Sequence, residues 1–200
     1  MFKILIKVYS VLKIFMNTRL KDIVIIKSGT FAKSVANPDL YYIQSTDFDS
    51  DKKWVVNLSP VLSKATTLKR HFLNKGDILF AAKGKEFFAV VYDGFYSPAV
   101  ASTTFLVLQI HTSNVLPDYI AWYLNHPKTQ KVLWNLAIGT AITSINKSTL
   151  EQIEIPIPSL SKQNSILDFS NLQEREKELQ MQIMNLKQRY LNELTYKSIQ

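Results

Sequence analysis

The chain contains no cysteine in its 200 residues. A disulfide framework and any thiolate metal site are therefore excluded. The composition suits a reducing cytoplasm, where the protein is expected to reside. Glycine is scarce, with five in all, and no Gly-rich loop follows a strand to cradle a cofactor. The histidines His71, His111 and His126 are scattered without ligand spacing, so no metal site is expected.

Long apolar runs are missing too. Residues 1–15 are rich in Phe, Ile, Leu and Val, but Lys3, Lys7 and Lys13 interrupt them. The stretch is too short to span a membrane and lacks a signal-peptide core of about 7–15 residues. Lys3, Lys7, Ser10 and Asn17 share one helical face, which fits an amphipathic surface helix anchoring a peripheral membrane protein. The plainer reading, an N-terminal extension without a recognition role, is preferred, and no membrane partner is expected.

What is present supports a folded domain plus an appendage. Hydrophobic residues make up 46% of the chain, enough for a real core. The net charge of +8 points to a polyanionic partner. That charge is uneven: residues 1–27 hold six Lys/Arg against one Asp, whereas residues 162–200 hold six against five acids. Within the body, Lys64 to Glu86 carries six basic residues against Asp77 and Glu86. The alternative for such a cluster is a solvated surface.

Local patterns place the elements. Ile23–Lys27, Tyr41–Gln44, Val55–Leu58, Asp77–Ala82, Phe87–Tyr92 and Thr103–Ile110 read as strands. Lys83-Gly84-Lys85 reads as a hairpin turn. Helices are expected at Pro117–Asn125 and Lys128–Leu136. Ser148-x-x-Glu151 fits a capping box on a short helix. Glu154–Ile157 returns to strand, at an edge because of Pro156 and Pro158. Trp54, Trp122 and Trp134 are assigned to the core.

From Lys162 to Thr195 there is neither Pro nor Gly. Phe169, Glu176, Ile183 and Tyr190 occupy one heptad position, and Leu172, Leu179, Leu186 and Glu193 the other. Such a seam seeks a partner helix. At about 1.5 Å per residue the helix spans roughly 50 Å, longer than a small domain.

Candidate contacts to nucleic acid are the Lys27–Thr30 turn with Lys33 and Ser34, the Lys64–Arg70 stretch and the Lys83–Lys85 turn. The residues put forward are Lys33, Lys64, Thr66, Thr67, Lys69, Arg70, Lys83, Gly84 and Lys85. Cations grip phosphates and polar groups read base edges, and Gly84 permits close backbone approach. Thr140, Thr143 and Ser144 are read as closing a polar turn. Two enzymatic readings are weaker. Pro38-Asp39 with Asp51-Lys52-Lys53 fits a PD-(D/E)xK-like nuclease literally, but both halves sit in turn-like sequence. Asn37-Pro38-Asp39-Leu40 lacks the second Pro and the aromatic of an adenine-methylation motif.

Gly139, then Ile145-Asn146-Lys147, then Leu150, Ile153, Ile155, Pro156, Pro158 and Gln163 stand in a distinctive order. Upstream lie Arg19–Ile23 with Ser28-Gly29, Leu73–Leu79, and Tyr119–Asn125 with Pro127 and Gln130. This order resembles specificity subunits of type I restriction-modification systems, in a half-length form with one target-recognition domain. The resemblance covers nearly everything after Met16.

It implies an α+β fold: a globular target-recognition domain of mixed strands and short helices at 16–160, then one long coiled-coil helix at 161–200. It implies a non-catalytic subunit that binds double-stranded DNA and directs an adenine methyltransferase, and sometimes a restriction subunit, to a bipartite target. S-adenosylmethionine, ATP and Mg are then expected only on the partner subunits. Leu172, Leu179, Ile183, Leu186 and Tyr190 are expected to pair two copies, or this chain with another half-subunit. Gly139 is expected to be a hinge between domain and helix. The main alternative from another class is a coiled-coil interaction protein that never reads DNA.

Overall fold

Apolar strands arise where the β-rich runs predict them, and their pairing sets the architecture. The computed structural model describes residues 17–55, 57–64, 66–138 and 143–199. The expectations for residues 1–15, Gly139 and Thr140 lie outside these. In chain order the strands are β1 (Asn17–Arg19), β2 (Val24–Ser28), β3 (Tyr41–Ile43), β4 (Ile78–Ala81), β5 (Phe88–Val91), β6 (Ala99–Ala101) and β7 (Phe105–Ile110). Then follow α1 (Pro117–Asn125), α2 (Pro127–Leu136), α3 (Lys147–Glu151), β8 (Glu154–Pro156) and α4 (Leu160–Lys197). The chain divides into two compact units between Leu160 and Ser161.

The first unit is built on an antiparallel sheet in the order β2-β7-β4-β5. Ile78, Leu79, Phe80 and Ala81 are all fully buried, as a strand covered on both faces requires. Removing Leu79 and Phe80 from water contributes about 1.5–3 kcal/mol each. A second, parallel pair joins β3 to β6. Its residues Ile43, Ala99 and Ala101 share a core with Leu79, Tyr92 and Phe105, against which Phe48 and Trp54 pack. A third pair joins β1 to β8, with Thr18 opposite Ile155. Among the described residues β8 has no other strand partner, so the edge position expected from Pro156 holds.

Several motif residues turn out to satisfy backbone groups. Asn125, the last residue of α1, lies against edge strand β5. Its Oδ1 accepts from Ala89 N at 2.9 Å, and its Nδ2 donates to Ala89 O at 2.7 Å. The amide thus stands in for a missing neighbour strand. Tyr119 Oη donates to Pro156 O at 2.7 Å and Tyr123 Oη to Glu154 O at 3.2 Å, tying α1 to β8. Asp77 is buried; it accepts from Asn74 N at 2.9 Å and from Gln109 Nε2 at 3.0 and 3.2 Å. A Cβ on Gly29 would meet Ser102 O at 1.9 Å, so only glycine lets these backbones approach.

Some expectations fail. The described part of Val55–Leu58 forms no strand; Trp54 makes an isolated bridge with Phe48 instead. The short helix α3 is capped by Asn146, whose Oδ1 accepts from Thr149 N at 2.8 Å. Ser148 Oγ donates to the same oxygen at 2.7 Å and so supports the cap rather than forming a box with Glu151. Trp134 is 42% exposed, although its ring lies on Phe87 at 4.7 Å. The flanks of Gly139 pair with each other, Ile138 N to Ser144 O at 3.0 Å, and Ser144 bridges to Lys83.

The second unit is the uninterrupted helix α4, exposed over most of its length apart from buried Gln163. Among the described residues no helix is long and apolar enough to cross a membrane.

Three outcomes follow for stability. Asn125→Ala strands both Ala89 groups and is expected to cost about 1–3 kcal/mol in urea unfolding. Gly29→Ala forces a backbone shift and is expected to cost about 1–3 kcal/mol or more by the same measurement. Burial raises the Tyr119 hydroxyl from 10.0 to about 12, so the neutral form is favoured in the fold. Its contribution is full below the unfolded value and is lost as pH rises towards the folded one. Tyr119→Phe should remove about 1 kcal/mol at neutral pH and flatten the alkaline decline, read by thermal melts across that range.

Candidate nucleic-acid interface

Strand register decides which loops become neighbours. Ser28 pairs with Leu106, Ala81 with Phe105, and Ala81 with Phe88. The end of β2, the start of β7 and the β4–β5 turn therefore lie at one end of the sheet. Gly29-Thr30, Ser102–Thr104 and Lys83–Lys85 share that end. Thr30 N donates to Ala101 O at 2.9 Å, which brings the β3-β6 pair alongside.

Residues Thr66–His71 form a 3₁₀ helix. Its Leu68 and the following Phe72 pack on Leu40, Leu62 and Val100. That anchoring turns Thr67, Lys69 and Arg70 outward, and all three are exposed. The helix ends against β2: Arg70 and His71 line one cleft with Lys27, Ser28, Gly29 and Gln109. The cleft holds about 10 Å³, room for roughly one water. It is a contact surface rather than a pocket for a small ligand.

Within it Arg70 Nε donates to His71 Nε2 at 3.1 Å. Gln109 is held by Asp77, which fixes its amide at the cleft wall. Two cations, Lys27 and Arg70, thus stand beside an imidazole and an amide on a rigid sheet. This is the mixture of phosphate-gripping and edge-reading groups that sequence recognition needs.

The β4–β5 turn adds Lys83 and Lys85, both exposed. Gly84 takes φ +128 with nothing near its missing Cβ, and its N donates to Thr143 O at 3.1 Å. Thr143 and Ser144 close a polar turn here, as their sequence suggests. Lys64 is partly diverted. Its N donates to Asp39 Oδ1 at 2.8 Å and its Nζ lies 3.7 Å from Asp39 Oδ2. Lys33 is exposed in the loop between β2 and β3, which Val35 N ties to Val61 O at 3.1 Å.

The structure therefore joins Arg70 to Lys27 in one cleft and places Lys83–Lys85 at the same sheet end. His71 and Gln109 are additions that sequence reasoning missed. The adjacent Arg-His pair was a visible signal for the first; nothing local marks the second. The nuclease arrangement loses its first carboxylate, because Asp39 is engaged with Lys64. Among the described residues no cluster of three His, Asp or Glu is placed to hold a metal.

In the second unit Leu172, Leu179, Ile183, Leu186 and Tyr190 are exposed on α4. Leu194, 46% exposed, joins them. The heptad count assigned that place to Glu193. A helix advancing about 100° per residue puts Leu194 nearer the middle of the stripe and Glu193 at its margin.

Comparison with known proteins identifies the family. Residues 13–186 match the family described as the type I restriction modification DNA specificity domain. A Methanocaldococcus jannaschii protein, named as a specificity subunit of the MjaX type I restriction enzyme, is 30% identical over 165 residues. The match covers 76% of this chain and 39% of that protein. The S subunit of a type I system from M. genitalium superposes with a TM-score of 0.55 at 18% identity, over 82% of this chain and 40% of that one. The HsdS subunit of Thermoanaerobacter tengcongensis gives 0.58 at 17% identity, over 80% and 37%. These superpositions match the α+β domain followed by a long helix. The chain spans about two fifths of the length of the curated relative it matches. By the family match across most of its length, this chain belongs to the type I restriction modification DNA specificity domain family.

Proposed function

We propose that this chain selects the DNA site at which a separate adenine methyltransferase acts, and carries no catalysis itself. The observation that carries the reading is the convergence of Lys27, Arg70, His71 and the Lys83–Lys85 turn at one end of a rigid sheet. Family membership supports it, as does the name of the M. jannaschii relative.

In this reading Lys69, Lys83 and Lys85 hold phosphates and set orientation, while Arg70 and Gln109 read base edges. S-adenosylmethionine, ATP and Mg belong to the methyltransferase and restriction subunits, and the assembly works in the cytoplasm. The exposed stripe of α4 pairs two copies or joins this chain to another half-subunit. Each copy then supplies one recognition domain to a bipartite target, and the helix sets the spacing.

Binding of duplex DNA by the chain with its methyltransferase tests this. Replacing Lys83 and Lys85 with Ala should lower the salt slope of log K by about two, with all sequences weakened alike. Arg70→Ala should cost about 1–3 kcal/mol on the cognate site and less on scrambled duplex. Undiminished binding by both variants would move the contacts to other residues, and no specific duplex binding by the chain with its methyltransferase would leave a coiled-coil interaction protein as the better account. A seven-residue insertion in α4 should lengthen the preferred spacer by about three base pairs, since a heptad adds about 10 Å. Methylation mapping reads that change.

A further inference from the structure

The exposed face of α4 carries a charge pattern with a centre of symmetry. At about 100° per residue, Phe169, Leu172, Leu179, Ile183, Leu186, Tyr190 and Leu194 fall in one stripe about 100° wide. Two charges lie inside that stripe, Glu176 and Lys197, with Asp168 and Lys187 on its two margins. They bracket its densest apolar block, Leu179 to Leu194. Glu176 Oε1 accepts from Gln180 Nε2 at 3.1 Å, which tethers the carboxylate on its own helix.

Read outward from the point between Leu186 and Lys187, the block is a palindrome. Ile183 mirrors Tyr190, Leu179 mirrors Leu194, and Glu176 mirrors Lys197. A second copy running antiparallel about that point sets each residue against its mirror. Ile183 then meets Tyr190, Leu179 meets Leu194, and each Glu176 meets a Lys197 of opposite sign, while at the centre Leu186 stands against Lys187. Lys187 lies at the stripe margin, where its long stem reaches water.

Three competing arrangements fail on charge. A parallel, in-register pair sets Glu176 against Glu176 and Lys197 against Lys197. The antiparallel register that keeps strict heptads sets Glu176 against Glu193. A register that pairs Leu172 with Leu194 sets Glu176 against Tyr190, leaving a desolvated carboxylate without a cation. Like charges or an unpaired charge in a dehydrated seam are strongly unfavourable.

We propose that α4 pairs with α4 of a second copy in antiparallel register about the Leu186–Lys187 point, fixed by two Glu176–Lys197 ion pairs. This rests on the pairing role given to α4 above and adds its register and the residues that set it.

The absence of cysteine makes the test direct. Full-length chains carrying Glu176→Cys and Lys197→Cys are mixed and oxidised, alongside Glu176→Cys alone and Glu176→Cys mixed with Glu193→Cys. The expected result is a disulfide between the first pair and little in the others. A Glu176→Cys self-link, or a dominant link to Glu193→Cys, overturns the register while leaving the pairing intact. In sedimentation, Glu176→Lys alone should weaken self-association by about tenfold or more, and Glu176→Lys with Lys197→Glu should restore it to within about threefold. No rescue by the double reversal overturns the ion pair. A wild-type chain that stays monomeric at tens of micromolar overturns self-pairing itself.

Discussion

The antiparallel register of β7 between β2 and β4 is the constraint on which the rest depends. It is enforced by burial: Leu108 and Phe80 are wholly out of water, and neighbouring β7 residues are nearly so. A slip of one residue in β2 would turn buried Val24 and Ile26 outward, so that register is strongly specified. Once it is set, Ser28, Leu106, Ala81 and Phe88 must lie at one end of the sheet. Every candidate contact that the structure gathers follows from that alignment.

Sheet edges are managed here by side chains rather than further strands. The Asn125 amide occupies the free groups of Ala89, and two tyrosines of α1 reach the carbonyls of β8. These residues lie in motifs that mark the family, yet their work is structural. The same holds for Asp77, which locks the turn before β4 to Gln109 of β7. The motifs thus build a platform, while the loops between them carry the varied polar groups. Rigid support beneath exposed loops suits the DNA-reading role proposed above.

Much of the fold is legible locally. Ten of the strand and helix runs follow from periodicity, Pro and Gly placement and β-branched content, because neighbouring residues decide those signals. The 3-residue strand Ala99–Ala101 is not legible, since its partner Tyr41–Ile43 lies far away in sequence. The Asn146 cap was local but misread: Ser148 fits the same motif, and only the bond to Thr149 N separates them. The seam residue Leu194 was hidden by counting sevens along a helix whose period is nearer 3.6.

The candidate site divides the same way. The amino-acid sequence determined the inventory: a basic stretch from Lys64 to Glu86, a Lys-Gly-Lys turn, a cysteine-free chain and a long apolar-striped helix. Tertiary structure alone decided which of these meet. It set Arg70 beside Lys27, brought His71 and Gln109 into the cleft, and turned Lys64 towards Asp39. The physical reason is sequence separation. Charge and helix period are carried by neighbours along the chain, whereas the company each charge keeps is fixed by strand register between segments tens of residues apart.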